Sequence, residues 1–509
     1  MSGYPRPRNT PATPLARLAA LLTVPVDDRV QVAVTGVTHA SDAVLPGDLY
    51  AALPGARRHG AEFIAAAAAA GAVAVLTDPA GADAARAAGL PALVVADPRS
   101  ALGAVASRIY GDPTERLAVI GITGTAGKTS TAYLIESGLA AAGRTTGLIG
   151  TVETRLGDLV VDSARTTPEA TDLHAALAVA LERGVDAVVM EVSSHALALG
   201  RVGGVRFAVG GFTNLGLDHL DFHADVDDYF AAKAKLFDGR CAVEIVNADD
   251  EYGRRLLRPG TVTYGISAGD WHASQITDLD FGQRFVAHGP DGIAVEAGVA
   301  LPGRHNVANA LLAIASLHAV GVDPAVAARG VAACSGVPGR MQRIAAPGPV
   351  LGVVDYAHKP DAVVEVLTAL RRLAAGRSGR LICVIGAGGD RDRAKRPVMG
   401  AGAAAGSDVV IVTDDNPRTE SPAAIRAELL AAARETGGAE IVEVDGRRAA
   451  IEEAVRRAVP GDVIALLGKG HERGQEVGVE VYPFDDREEL AVALTARFGP
   501  APVGVVEPR

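Results

Sequence analysis

The run from Leu117 to Ser130, LAVIGITGTAGKTS, holds the residues best suited to binding phosphate. An apolar β-type stretch (Leu117, Ala118, Val119, Ile120) stops at Gly121 and passes into the turn Gly124-Thr125-Ala126-Gly127. Lys128, Thr129 and Ser130 then open a helical pattern whose apolar positions are Leu134, Ile135 and Leu139. Glycines let backbone N–H groups crowd around phosphate oxygens, and a helix N-terminus adds partial positive charge. Lys128 adds a full charge, and the Thr129 hydroxyl can hold Mg²⁺. The general pattern has a further glycine five positions before Gly127, where this chain has Ile122. The expectation is a nucleoside triphosphate site.

Carboxylates and imidazoles follow. The apolar run Ala187 to Met190 ends in Glu191 and leads into Ser193-Ser194-His195. An acidic residue ending a strand beside a phosphate loop is where a Mg²⁺-binding carboxylate is needed; the alternative is a surface glutamate after a buried strand. A strand expected near 207–213 runs into Asn214-Leu215-Gly216-Leu217-Asp218-His219-Leu220-Asp221-Phe222-His223, dense in donors for a hard cation. His219 and His223 at i,i+4 would be half a zinc site, with no cysteine or third histidine nearby to complete it. In the helical pattern Tyr229 to Phe237, Lys233 shares a stripe with Tyr229 and Phe237, while Lys235 points away. Periodicity leaves Lys233 either snorkelling to solvent or buried as a functional amine.

These groups need a large frame. The chain has 509 residues, and length alone suggests about three domains. Hydrophobic content of 49% allows extensive cores, and with only 4% aromatic residues alanine, valine and leucine must fill them. The net charge of -11, without basic runs interleaved with aromatics, argues against nucleic acid as a partner. Cys241, Cys334 and Cys383 lie far apart without metal-ligand spacing, which fits structural thiols in a reducing compartment. Residues 1–15 are proline-rich and polar and read as a disordered tail. The run Phe63 to Leu76, interrupted by Gly71, reads as a helix end and a buried strand, too short to span a bilayer. The expectation is a cytoplasmic protein that does not insert into membranes.

The fold class is α/β. Residues 16–113 alternate short strands (near 31–35, 47–52, 72–76 and 92–95) with alanine-rich helices, a small N-terminal domain ending near Pro113. Residues 114–344 form the central phosphate-loop domain with a mostly parallel sheet. Residues 345–509 alternate strands (350–354, 381–385, 408–413, 440–444, 462–467) with helices, as in a doubly wound, Rossmann-like sheet. Gly386-Ala387-Gly388-Gly389 is not a dinucleotide fingerprint, because the third glycine would fall on Arg391. Polar clusters follow three of these strands: Gly389-Asp390-Arg391, Asp415-Asn416-Pro417-Arg418 and Gly468-Lys469-Gly470-His471-Glu472. In such sheets ligands bind at the carboxyl ends of strands.

Taken together, the Gly124 loop, Glu191-Val192-Ser193-Ser194-His195, Asp218-His219-Leu220-Asp221, Lys233, Asn306, Asp355-Tyr356-Ala357-His358 and Asp415-Asn416-Pro417-Arg418 resemble the Mur ligases, from about residue 30 to the C-terminus. The resemblance is to the members that add the third residue of the peptidoglycan stem peptide. It implies a UDP-binding domain, a central ATPase domain and a C-terminal domain for the incoming amino acid. It further implies ATP-dependent addition of diaminopimelate to UDP-MurNAc-L-Ala-D-Glu through an acyl phosphate, with two Mg²⁺. By resemblance, Gly124, Thr125, Ala126, Gly127, Lys128, Thr129 and Ser130 cradle the ATP phosphates, and Asn306, Arg340, Asp355 and His358 contact the nucleotide. Thr129, Glu191, His219 and a carbamylated Lys233 bind metal; Lys128, Glu191, His219 and Lys233 form the catalytic set. Ser41, Ala56, Arg57, Arg58, Thr166, Thr167, Ser193 and Arg201 match contacts to the UDP-muramoyl-dipeptide. Arg391, Asp415, Asn416, Pro417, Arg418, Gly468 and Glu472 match contacts to diaminopimelate.

The chain departs from the family at the first of these substrates. Ala40-Ser41-Asp42 stands for the usual Asp-Ser-Arg, His59-Gly60 for Asp-Gly, Leu199 for a glutamine and Arg165 for an asparagine. Two rivals share parts of the pattern. A folylpolyglutamate synthetase has the ATP core but lacks Asp415-Asn416-Pro417-Arg418 with Gly468 and Glu472. A non-catalytic nucleotide-binding regulator would have lost Lys128, Glu191 or Lys233.

Overall fold

Ala118–Thr123 and Ala187–Glu191 are apolar almost throughout, which in a strand means cover on both faces. Both are central, parallel strands in the computed structural model, which describes residues 4–25, 31–55, 57–216, 218–344 and 348–499. Two compact units emerge. The first comprises Met1–Ile276, Arg284–Val299 and His305–Cys334, the second Thr277–Gln283, Ala300–Arg304 and Ser335–Arg509.

In the first unit, Gly36–Thr38, Asp48–Ala52, Ala74–Thr77 and Ala92–Val94 form a parallel four-stranded sheet. The run expected as helix end and strand is Ile64–Ala69 followed by Ala74–Thr77. An eleven-stranded sheet carries the phosphate loop. Its parallel part runs Thr146–Ile149, Ala187–Glu191, Ala118–Thr123, Phe207–Phe212, Cys241–Asn247, Val262–Gly265, Trp271–Leu279. Register puts Glu191 opposite Ile122 and Phe212 opposite Thr123, so three neighbouring strands end together.

The second unit has a six-stranded sheet: Gln342–Ile344, Leu351–Asp355, Val463–Leu467, Leu381–Ile385, Val409–Val412, Glu440–Glu443. It is parallel except for its first pair. Asp355 pairs with Leu467, Leu467 with Ile385, and Ile385 with Val412. The loops after these strands therefore leave from one edge. A fully buried ion pair, Arg447 with Asp486, lies beneath two of them: Arg447 also donates to Asp414 O (3.3 Å) and Leu467 O (3.0 Å).

Residues 1–15 do not form a disordered tail across the described part. From Tyr4 onward the segment is placed, with Tyr4 buried in the core around Val119 and Leu173. The Arg6 guanidinium donates to both oxygens of buried Asp48 (2.7 and 2.8 Å), and Thr13–Pro14 pairs with Ala33–Val34. A buried carboxylate needs a partner, and composition does not reveal a partner 42 residues away in sequence. Cys241 and Cys383 carry free thiols, which burial pushes up to about 12. No helix among the described residues is long and apolar enough to cross a membrane.

His174 is fully buried on the helix Ala170–Glu182, its Nε2 2.8 Å from Gly203 O. Burial lowers its pKa from 6.5 to about 4. The unfolded chain thus takes up this proton first, so the stability from a neutral His174 is present above 6.5 and lost as pH falls towards about 4. Over that window wild type should lose roughly 3 kcal/mol more than His174→Gln, read from urea midpoints of both proteins at matched pH.

Candidate active site

The phosphate loop is held by glycine geometry and by the segment after Phe212. Gly124 (φ 146°) and Gly127 (φ 83°) adopt positive φ. A Cβ at Gly124 would lie 1.9 Å from Thr213 Oγ1, and one at Gly127 2.5 Å from Asn309 Oδ1. Neither position has room for a side chain. Thr125 N–H donates to Asn214 O (2.9 Å), Ala126 N–H to Asn214 Oδ1 (3.0 Å), and Thr213 Oγ1 to Ala126 O (2.6 Å). Helix Lys128–Ala141 starts directly after Gly127, with Thr129 buried and Ser130 half-buried in its first turn. The Lys128 ammonium folds back onto Gly124 O (2.9 Å) and Thr125 O (3.0 Å).

Lys233 arrives at the same place from helix Val226–Ala234. It is buried, not snorkelling, and Nζ donates to Gly124 O at 2.7 Å. Its ammonium lies 4.4 Å from the centre of the Tyr229 ring, and Tyr229 OH is 3.0 Å from Thr125 Oγ1. The apolar stripe thus lines a buried amine.

Glu191 is buried at its strand end and accepts from Thr129 Oγ1 (2.9 Å), Thr151 N–H (2.7 Å) and Thr151 Oγ1 (3.2 Å). It is not a surface residue. Thr151 was not legible in the sequence, because nothing in its neighbourhood marks a threonine as a carboxylate's partner. His219 has a positive φ (55°) and is half-exposed, with Nε2 3.4 Å from Asp218 Oδ2 and its ring edge-on to His195 at 4.8 Å. His223 spans Ser194 Oγ (3.1 Å) and Asp228 Oδ2 (3.2 Å), so both its ring nitrogens are occupied. On helix Arg304–Ala319, buried Asn306 accepts from Asn309 Nδ2 (3.0 Å), the residue packed on Gly127.

The Thr166 group lies beside Glu191. Thr166 Oγ1 is 3.0 Å from Thr151 Oγ1, and Thr167 Oγ1 donates to the Glu191 carbonyl (2.9 Å). Ser193 N–H donates to Thr167 Oγ1 (3.0 Å), and Arg201 Nη1 approaches Thr167 O (3.4 Å). Arg201, Arg99 and Arg165 all face Glu169, at 2.9, 3.7 and 3.7 Å. Three cations share one carboxylate there, a local excess of positive charge. Arg99 and Glu169 carry no motif and went unnoticed in the sequence. Ser41 sits in the short turn Ser41–Ala43; Arg57 and Arg58 are exposed, with Arg58 paired to Glu62. Ala56 lies outside the described residues. Among those described, no hydrogen bond joins Ser41, Arg57 or Arg58 to the Thr166 group.

In the second unit, Arg340, Asp355 and His358 gather around Tyr356. Arg340 lies over the Tyr356 ring (4.8 Å), and Asp355 accepts from Met341 N–H and Ala357 N–H (both 2.7 Å). His358 Nδ1 is 2.7 Å from Tyr356 O. Burial lowers the pKa of His358 and of His471 to about 4, which leaves both imidazoles neutral at physiological pH.

The loops after Val412 and Leu467 interlock. Asn416 Nδ2 donates to Glu472 Oε2 (2.9 Å), and buried Lys469 donates to Asn416 Oδ1 (2.9 Å) and Glu472 Oε2 (3.2 Å). A Cβ on Gly468 would lie 2.3 Å from Asp415 Oδ2. Gly389 packs on Pro417 O, and Arg391 follows it on the same loop, exposed. Arg418 donates through Nη1 to Gly389 O (2.9 Å) and through Nε to Glu476 Oε2 (2.5 Å). The expected amino-acid residues are thus brought together, with Lys469 and Glu476 added. Lys469 lies inside a cluster the sequence marked; Glu476 had no such signal.

Comparison with known proteins matches this arrangement. Three family models fit in succession: "Mur ligase family, catalytic domain" over residues 33–110, "Mur ligase middle domain" over 122–317, and "Mur ligase, glutamate ligase domain" over 339–470. The chain is 54% identical over 507 residues to the UDP-N-acetylmuramoyl-L-alanyl-D-glutamate--2,6-diaminopimelate ligase of Streptomyces avermitilis, covering 98% of this chain and 99% of that one. A protein of the same name from Corynebacterium glutamicum is 48% identical over 466 residues, covering 88% of this chain and 89% of that one. A solved structure of a ligase so named superposes with a TM-score of 0.70 at 30% identity, over 96% of this chain and 99% of the other. A phosphate loop clamped by two lysines, a strand-end glutamate on Thr129 and these matches along nearly the whole chain lead to one conclusion: the protein belongs to the Mur ligase family.

Proposed function

We propose that this chain joins diaminopimelate to the D-Glu γ-carboxylate of UDP-MurNAc-L-Ala-D-Glu at the expense of ATP, a step in making peptidoglycan precursor. The observation that carries the choice of amino acid is Arg418, a guanidinium fixed by Gly389 O and Glu476 on the loop whose Asn416 bonds Glu472, at the carboxyl ends of parallel strands. The relatives' names support the same substrates. Domains 16–113, 114–344 and 345–509 would serve the uridine nucleotide, ATP and the amino acid respectively. Free thiols fit a reducing cytoplasm.

In the first half-reaction the γ-carboxylate oxygen bonds to the γ-phosphorus of ATP and the bond to ADP breaks, giving an acyl phosphate. The amine nitrogen then bonds to the acyl carbon, loses a proton, and inorganic phosphate leaves. Two anions meet in the first step, so positive charge must be waiting for them. Lys128 and the N-terminus of its helix supply it on the ATP side, and the Arg99, Arg165 and Arg201 cluster favours the anionic muramoyl substrate. The donor set also fits Mg²⁺: Thr129 Oγ1 and the Glu191 carboxylate are hard oxygens already 2.9 Å apart. These two, with His219 and a carbamylated Lys233, would hold it, and its charge would offset that of the phosphates. A carbamate keeps one N–H, so the bond from Lys233 to Gly124 O is compatible with that modification. Carbamylation would also turn a contact of two cations on one carbonyl into an attraction of opposite charges.

Three outcomes test this reading. Lys128→Ala should fold as wild type by circular dichroism yet lose phosphate release from ATP; unimpaired turnover would refute the phosphate-loop assignment. Lys233→Ala and Lys233→Arg should both be nearly inactive, while Lys235→Ala stays close to wild type. Intact mass spectrometry under conditions that preserve carbamates should show the added CO₂ on wild type and not on Lys233→Arg. Last, wild type should prefer diaminopimelate to lysine, which lacks one distal carboxylate and would leave Arg418 facing an ammonium. Arg418→Ala should lower kcat/KM for diaminopimelate by on the order of a hundredfold, about 3 kcal/mol, and erase the preference; an undiminished preference would refute the specificity assignment.

A further inference from the structure

Gly474–Val477 and Glu480–Pro483 form a two-stranded hairpin with almost no core of its own. Val477, Val479, Val481 and Tyr482 on it are all exposed. Isolated hairpins of this kind are marginal in water, so something else must hold it. The bonds that do so go to the loop of Asp415 to Arg418. Gln475 Nε2 donates to Asp415 O (2.7 Å), and Glu476 N–H to Asn416 Oδ1 (3.0 Å). Arg418 N–H donates to Glu476 O (3.1 Å), and Gly478 N–H to Arg418 O (2.8 Å). The hairpin strand thereby adds alongside Arg418 as a parallel bridge to Val477.

Arg418 needs that support. Its φ is 51°, in the left-handed region that residues with a side chain rarely adopt. The same strand then fixes the side chain: Nε donates to Glu476 Oε2 at 2.5 Å, while Nη1 is held by Gly389 O. Among the described residues Nη2 makes no hydrogen bond. Nη2 is therefore left to donate to a second carboxylate, with the plane of the guanidinium already set by the bonds of Nε and Nη1. A flexible arginine would have to be ordered on binding, at a cost in affinity. The Arg418–Glu476 pair is also neutral overall, so it does not attract anions indiscriminately. It suits a zwitterionic amino-acid end better than a bare anion.

We infer that Glu476, on an otherwise weakly held hairpin, is a positioning residue that orients Arg418 and so sets affinity for the distal carboxylate of the incoming diamino acid. This rests on reading the Arg418 loop as the amino-acid site.

The test is steady-state kinetics of the full-length enzyme, by phosphate release, on wild type, Glu476→Ala, Glu476→Gln, Arg418→Ala and the double variant Glu476→Ala/Arg418→Ala. Wild type alone tests the site reading, since it shows which amino acid is taken; the variants are then compared with that amino acid. Glu476→Ala should raise its KM roughly tenfold, with kcat and the KM values for ATP and the UDP-muramoyl-dipeptide within about twofold of wild type. Glu476→Gln should recover most of the loss, because its amide oxygen still accepts from Nε. The double variant should be no worse than Arg418→Ala, since Glu476 acts only through Arg418. An unchanged KM in Glu476→Ala, losses that add fully in the double variant, or a loss spread equally over kcat and all three KM values would each overturn the inference. Should Glu476→Ala not fold, Glu476→Gln with a KM worse than that of Arg418→Ala would do the same.

Discussion

Two lysines from different helices donate to one carbonyl oxygen, that of Gly124, and the first unit is arranged around keeping that atom in place. A backbone carbonyl can turn inward to meet two cations only if the chain adopts a φ that side-chain-bearing residues rarely take, hence glycine at 124. The loop has little room to relax. Thr213 and Asn214 clasp it from the neighbouring strand end, Asn309 presses on Gly127, and Tyr229 caps Thr125. With its carbonyls turned to the lysines, the loop presents positive charge and the start of a helix to its ligand. That is the electrostatic condition for holding a triphosphate.

Register extends the same constraint to the buried carboxylate of Glu191. Because Ala187–Glu191 pairs in parallel with Ala118–Thr123, Glu191 ends level with the start of the loop and meets the Thr129 hydroxyl. A slip of one residue would turn Glu191 to the opposite face of the sheet. The apolar run before it therefore does two jobs, burying the strand and aiming its terminal carboxylate. Thr151 keeps that buried carboxylate hydrogen-bonded, as a buried polar group must be.

The second unit builds its site from loops instead of one strained turn. Four strands end together, and buried arginines tie the loops that leave them: Arg447 to Asp414 and Leu467, Arg396 to Gly388 O, Glu420 and Glu428. A buried arginine without a partner is costly, so these networks resist rearrangement. The result is a rigid shelf on which Asn416, Arg418, Lys469 and Glu472 are presented with fixed spacing. The neutral, half-buried His358 and His471 add packing there without adding charge.

The strands and their order of polarity were legible in the sequence, because continuous apolar runs of five or six residues have few alternatives to parallel strands. The expected run 381–385 is the strand Leu381–Ile385, and 350–354 is Leu351–Asp355. The phosphate loop, Glu191 and the Asp415 to Arg418 loop were legible for a different reason: their chemistry needs fixed residue types at fixed local spacing, whereas Lys233 was singled out only by the resemblance to the Mur ligases. Local spacing could not decide whether Lys233 was buried or at the surface, since one stripe fits both; its contact with Gly124, 109 residues away, decides it. Nor could it find Thr151 on Glu191, Arg6 on Asp48, or Glu476 on Arg418, 58 residues away. Each is a single long-range pair between residues that are common everywhere in the chain. Sequence determines which groups can do chemistry, because that depends on residue type and near neighbours. Only the tertiary structure determines which groups hold them still, because a hydrogen bond depends on distance in space and leaves no period in the chain.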